Sequence, residues 1–363
     1  MKLRDIGVKG VTGVAVMALL SAAALAQDTW YPYAVERWDP PFDMSSPRTS
    51  VDYVPLERAS EEWEICVSFP HMKDAYWLGV NYGVASEAER LGVRMQLVEA
   101  GGYTELNTQI SQIEDCVSAG ADAVVIGAIS FDGLNNLVGE IRGQGIPVID
   151  VINGMSSTEL SAKSLVSFGE MGAKAGEFLA ASHPDGGPTV QVAWFPGPAG
   201  AGWVEAGNAG FLAAVEAGAV EVVDTLYGDT GKEAQSKLVE DALETYPDLR
   251  YIAGTAVTAE AAVPILRARG LSDQVKVVSY YFTPGVDRGI SRGQILAAPT
   301  DSTVIQGRIA IDQAVRILEG RDFFKHVGPA LYVVTTENHD GFDPTSTLAP
   351  AGFTPVFRVE PLG

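Results

Sequence analysis

WEICVSFPHMKDAYWLGVNYGVASEAERLGVRMQLVE, residues 63–99, decides the fold. Residues 63–69 are a short, β-rich apolar run and predict a strand. Residues 76–91 carry a helical pattern that stops at Gly92, a residue suited to a left-handed C-cap. A second apolar run over 93–99 predicts the next strand. Apolar strands of this length, separated by helices, specify a parallel sheet covered on both faces.

Downstream the alternation repeats. A helix over 104–119 stops at Gly120, strands follow over 123–127 and 147–152, and a helix over 134–142 lies between them. This is one doubly wound α/β unit. A second unit has strands over 190–195, 220–226, 251–254 and 276–280, with helices over 202–217, 232–246 and 259–269. A late set, strand 295–298, helix 303–319 and strand 331–335, exceeds what that unit needs and predicts a return crossing. The expected fold is two doubly wound parallel-sheet lobes joined by a multi-stranded hinge. Residues 63–168 and 295–320 are assigned to the N-terminal lobe, and 169–294 and 321–363 to the C-terminal lobe. Such lobes place a ligand between them, at the carboxyl ends of the strands.

Upstream the composition changes. Residues 27–62 hold Trp30, Tyr31, Tyr33, Trp38, Phe42 and Tyr53 among Pro32, Pro40, Pro41, Pro47 and Pro55. The prolines argue against a long helix or a central strand, and the aromatics argue against a solvated linker. An extended arm pinned to a domain surface is expected. Before it, Lys2, Arg4 and Lys9 precede an apolar stretch and the small-x-small site Ala24-Leu25-Ala26. That order reads as a signal peptide over residues 1–26, so the expected compartment is the periplasm, with no membrane insertion after cleavage.

The chain has 25 basic and 46 acidic residues, a net charge of −21. A surface this acidic argues against nucleic acid and anionic lipid as partners. Cys66 and Cys116 are the only two cysteines. They are either a disulfide or two buried thiols, and a secretory start favours the disulfide.

Catalytic signatures are missing. His71, His183, His326 and His339 are not spaced as a metal pair, and no cysteine motif accompanies them. There is no nucleophile elbow and no phosphate loop. Gly197-Pro-Ala-Gly200-Ala-Gly202 opens a predicted helix, yet its glycine spacing is wrong for a dinucleotide, so it reads as a tight turn. No enzyme, metal or cofactor is expected.

Aromatics instead gather at predicted strand ends. Tyr76 and Trp77 follow the first strand, Tyr103 the second, Phe168 ends Leu165-Val-Ser, and Tyr280-Tyr281-Phe282 ends a strand of the other lobe. Singly, each is more often a core residue than a ligand contact. Together with Asp74 they predict a cage for a compact cationic or methylated nitrogen, held by cation–π attraction.

These residues also carry a resemblance. Residues 65–116 contain K-D-x-Y-W, N-Y-G, E-A-G-G-Y and Q-I-x-x-C, and matches continue at 196–198, 253–256, 277–279 and 351–356. The stretch resembles the TorT family of type I periplasmic binding proteins, which detect trimethylamine N-oxide and control the sensor kinase TorS. The resemblance implies Asp74, Tyr76, Trp77, Tyr103 and Tyr281 as pocket residues. It implies the periplasmic sensor domain of a TorS-like histidine kinase as partner. One position departs: where the family has a pocket tryptophan, the matching run reads Val166-Ser167-Phe168. An oxide oxygen would also need a donor, a tyrosine hydroxyl or a backbone N–H. The competing reading is a carrier serving an ATP-driven importer for a sugar or methylated amine, which fold alone does not separate from a sensor.

Overall fold

The computed structural model describes residues 30–361. The expected signal peptide lies outside them. The described chain opens on a hairpin, β1 (Tyr33–Trp38) and β2 (Arg48–Tyr53), where an arm was expected. Its prolines flank the strands, so none removes a ladder N–H.

Next come β3 (Glu64–Phe69), α1 (Ala75–Leu91), β4 (Arg94–Glu99), α2 (Leu106–Ser118), β5 (Ala123–Ile126), α3 (Asn135–Gly143), β6 (Val148–Val151) and β7 (Ala162–Ser164). Strands β4-β3-β5-β6-β7 lie parallel in that order. β3 shows why both faces are filled: Ile65, Val67 and Phe69 enter one apolar cluster, while Cys66 enters another with Ile113, Val124 and Ile141. That alternation is the period-two geometry of a strand. Cys66 is bonded to Cys116, tying β3 to α2.

The second lobe holds α4 (Phe168–Ser182), β8 (Val190–Phe195), α5 (Gly202–Val215), β9 (Val220–Thr225), α6 (Lys232–Thr245), β10 (Leu249–Gly254), α7 (Ala256–Arg269), β11 (Lys276–Ser279) and α8 (Pro284–Ser291). Its sheet is parallel, in the order β11-β10-β8-β9. Helices α4 and α5 cross on glycines. A Cβ at Gly172 would stand 2.0 Å from the Gly207 carbonyl oxygen, and one at Gly210 would stand 1.9 Å from that of Gly169.

The last elements are β12 (Ala297–Thr300), α9 (Thr303–Leu318), β13 (His326–Pro329), β14 (Tyr332–Thr335) and β15 (Arg358–Val359). Helix α9 returns to the first lobe and packs on α1, close enough that a Cβ at Gly83 would lie 2.3 Å from the Val304 carbonyl oxygen. The assignment of 321–363 to the C-terminal lobe needs correction. β13 joins the first sheet, parallel to β7 and antiparallel to β1, and β15 pairs antiparallel with β4. Only β14 stays outside, paired with β12. These strands have four residues or fewer, and their ladder partners decide where they lie.

The first sheet therefore runs β15-β4-β3-β5-β6-β7-β13-β1-β2. The hairpin is fixed to α9 by Asp312: Tyr53 Oη donates to its Oδ2 at 2.6 Å and Leu56 N to its Oδ1 at 2.7 Å. Trp38 stacks on His326 of β13, with ring centroids 4.3 Å apart.

Candidate ligand cleft

In both sheets the strand order reverses beside the first strand, at β3/β5 and at β8/β10, and the loops at those carboxyl ends face the cleft. The turn after β3 supplies the first wall. Asp74 is the N-cap of α1, its Oδ1 accepting from Tyr76 N at 3.1 Å and Trp77 N at 3.3 Å. An aspartate suits that position because its oxygen satisfies orphan N–H groups. The cap aims the next two rings into the cleft. Burial pushes the Asp74 carboxyl up to about 7, against the lowering effect of those two hydrogen bonds.

A small cavity lies there, lined by Asp74, Tyr76, Trp77, Tyr103, Asn153, Phe168, Trp203, Thr230 and Tyr281. All six residues singled out in the sequence line it. Tyr76 and Tyr281 meet edge to face across the lobes, with centroids 5.0 Å apart. Trp203, in the first turn of α5, stands 5.9 Å from Tyr103, 5.9 Å from Phe168 and 6.2 Å from Tyr281. The neighbours of Tyr281 turn away: Tyr280 stacks behind Trp203, and Phe282 packs on Phe342.

Trp203, Asn153 and Thr230 were not foreseen. Trp203 was hidden behind the Gly-Pro turn that opens its helix. Asn153 and Thr230 sit in polar loops after β6 and β9, without a local pattern. Tyr76 and Asn153 are already engaged by the protein. Tyr76 Oη donates to Asp301 Oδ2 at 2.6 Å, which Gln306 Nε2 also approaches at 2.7 Å. Asn153 Nδ2 donates to Tyr103 Oη at 3.0 Å and to the Ala128 carbonyl at 2.7 Å.

His71, thought of only as a possible metal ligand, spans the lobes. Lys73 N donates to its Nδ1 at 3.2 Å, which leaves Nε2 to donate to Thr230 Oγ1 at 3.1 Å. Burial, then the neighbouring Lys73 ammonium, pull its pKa down to about 4, so the ring is neutral. Beside it, Lys73 Nζ lies 3.3 Å from Asp229 Oδ2, a second contact between the lobes. Among the described residues no group of three or more His, Cys, Asp or Glu is placed to hold a metal ion.

Two doubly wound lobes closed over a small aromatic cavity define a solute-binding protein. A family model described as a periplasmic binding protein domain matches residues 65–322. The periplasmic protein TorT of Escherichia coli K12 is 36% identical over 303 residues, covering 83% of this chain and 86% of that one. The chain belongs to the periplasmic binding protein family and, within it, to the TorT family of periplasmic proteins.

Solved structures agree. An ABC transporter solute-binding protein from Bradyrhizobium sp. BTAi1 with bound Bis-Tris has a TM-score of 0.79 and 63% identity, covering 91% of this chain and 99% of that one. The complex of TorT with the TorS sensor domain, without ligand, has a TM-score of 0.75 and 33% identity, covering 81% of this chain and 99% of that one. The same complex with trimethylamine N-oxide has a TM-score of 0.74.

Proposed function

We propose that this chain is a periplasmic sensor for trimethylamine N-oxide, or a similar small methylated compound, and regulates a TorS-like membrane histidine kinase. It acts by binding and not by catalysis. Asp74, Tyr76, Trp77, Tyr103, Phe168 and Tyr281 hold the ligand. The observation that carries this reading is the cavity wall itself: aromatic rings from both lobes around one carboxylate. Ring faces attract a methylated, positively polarised nitrogen. A sugar would need several donors and acceptors, and here Asn153 and Tyr76 are already bonded to the protein. The relative complex with TorS supports the kinase as partner.

A carrier for an importer is the second reading, favoured by the 63% identical relative, which is an ABC transporter solute-binding protein.

Calorimetry with trimethylamine N-oxide, betaine, choline, dimethyl sulfoxide and ribose, with and without the kinase sensor domain, tests both readings. Binding of the N-oxide with an affinity that changes when the sensor domain is present is expected. A preference for ribose, or no response to the sensor domain, would favour the carrier. The pH dependence has a defined sign. Asp74 sits near 7 when the cavity holds no cation, and a positive nitrogen beside it favours the carboxylate. Binding therefore releases a proton, and affinity should rise as the pH increases through about 7 and fall below it.

A further inference from the structure

We propose that Trp203 selects for an oxygen-bearing ligand by donating its indole N–H to the ligand's acceptor oxygen. This deepens the reading above, on which it rests: the cage takes the methylated nitrogen, and Trp203 takes the oxygen.

Trp203 is 5% exposed, and its Nε1 has no hydrogen-bond partner among the described residues. Of the residues lining the cavity, it alone has a buried polar side-chain atom in that state. A buried indole N–H nearly always finds an acceptor, so an unused one in a cavity wall marks the place where a ligand supplies it. In the same lobe, Trp194 shows the ordinary outcome: its Nε1 donates to Asn208 Oδ1 at 2.9 Å.

The ring is held in one orientation. It stacks on Tyr280 at a centroid distance of 6.0 Å and an interplanar angle of 18°. The Tyr280 hydroxyl donates to the Trp203 carbonyl at 3.0 Å. A Cβ at Gly197 would come within 2.6 Å of the six-membered ring, so glycine leaves the space the indole needs. A donor fixed before the ligand arrives loses little freedom on binding.

The surroundings are rich in donors. Asn153 Nδ2 already donates to Tyr103 Oη. Burial raises the Tyr103 hydroxyl above its ordinary range, and the indole N–H groups of Trp203 and Trp77 act with that amide in the opposite direction. Trp203 therefore faces the Tyr103 oxygen without forming a hydrogen bond to it. One carboxylate and one free N–H in the same cavity match a ligand with a positive nitrogen and a negative oxygen.

The test compares trimethylamine N-oxide with tetramethylammonium, which has the methylated nitrogen and no oxygen. Trp203→Phe keeps a ring and removes the N–H. Calorimetry should show N-oxide affinity falling by about tenfold or more, the loss expected for one hydrogen bond to a charged group, with a clearly smaller loss for tetramethylammonium, which feels only the weaker ring. Equal losses for both ligands would reduce Trp203 to packing, and no loss for the N-oxide would remove the donor. If wild type binds tetramethylammonium and ignores the N-oxide, the donor is overturned while the cage stands. If it binds neither, the ligand reading falls and takes this proposal with it. A measurement on the unmodified chain guards against misfolding of the variant. With ¹⁵N-labelled indoles, the Trp203 N–H resonance should move downfield on adding the N-oxide and not on adding tetramethylammonium. A resonance that stays in place under saturating N-oxide overturns the proposal.

Discussion

In the first lobe β4-β3-β5-β6 stand in the same order as β9-β8-β10-β11 in the second, and both four-strand units are parallel. Beyond that shared unit the lobes part. The second sheet stops at four strands, whereas the first continues through β7, β13 and the β1–β2 hairpin and gains β15 on its other edge. The first lobe also holds the disulfide, and α9 returns to it. Two chain-distant segments, residues 33–53 and residues 326–329, are thus stitched into one sheet. The first lobe is thus a reinforced platform, and the second carries the smaller sheet. The cleft repeats the contrast. Asp74, Tyr76 and Trp77 come from a single turn of the platform, with Tyr103 and Asn153 from its later loops, whereas Trp203 opens α5 and Thr230 and Tyr281 lie in two loops of the smaller lobe.

The largest expected effect tests the platform. Closing a loop of fifty residues, Cys66–Cys116 should stabilise by about 4 kcal/mol on the chain-entropy model. Reduction should therefore lower hydrogen-exchange protection in β3, α2 and β5 and leave β8, β10 and β11 nearly unchanged. Equal loss in both sheets would mean that the lobes unfold as one unit, and the contrast between them would disappear.

The next effect is on binding. Trp77 is 2% exposed and packs against Gly127, where a Cβ would come within 2.6 Å of its ring. Trp77→Ala removes a desolvated cation–π contact and its packing, and should weaken N-oxide binding by roughly 1–2 kcal/mol or more. Tyr281→Ala removes the matching ring from the second lobe and should also weaken binding. Calorimetry on both variants sharpens the comparison, and unchanged affinity in Trp77→Ala would refute the aromatic cage.

What the sequence made legible follows the same division. The parallel units were readable because their strands are buried on both faces and appear as continuous apolar runs, as in residues 64–69 and 190–195. The platform's share of the cleft was readable because helix capping and ring placement occur within one contiguous motif, residues 74–77. β13 reads His-Val-Gly-Pro and β15 has two residues, too short for any periodicity. Their positions are set by distant ladder partners, which no local window contains. Trp203 and Thr230 belong to the cleft only because β8 and β9 end beside each other, a fact of topology. The hairpin was obscured by its prolines, although none lies within β1 or β2.

The smallest effect concerns how the lobes hold together. His71 Nε2 donates to Thr230 Oγ1 across the cleft, and the imidazole is fully buried against Tyr103, with centroids 5.4 Å apart. Thr230→Val keeps the shape and removes the acceptor, so closure leaves one N–H unpaired at a cost of about 1 kcal/mol. An open form, in which water reaches His71, does not bear that cost. A ligand shifts such an equilibrium only by its differential affinity for the two forms, so a penalty on the closed form reduces the apparent affinity by the same free energy. The expected result is a roughly fivefold weaker affinity for the N-oxide and a smaller ligand-induced compaction in small-angle scattering. The neighbouring Lys73–Asp229 pair is more than a third exposed on both sides, so raising the salt concentration should change little by comparison. His71→Asn combined with Thr230→Val should cost less than the two single losses added together, because one hydrogen bond is removed by both. Full additivity, with normal compaction in the single variant, would show that the lobes close without this contact.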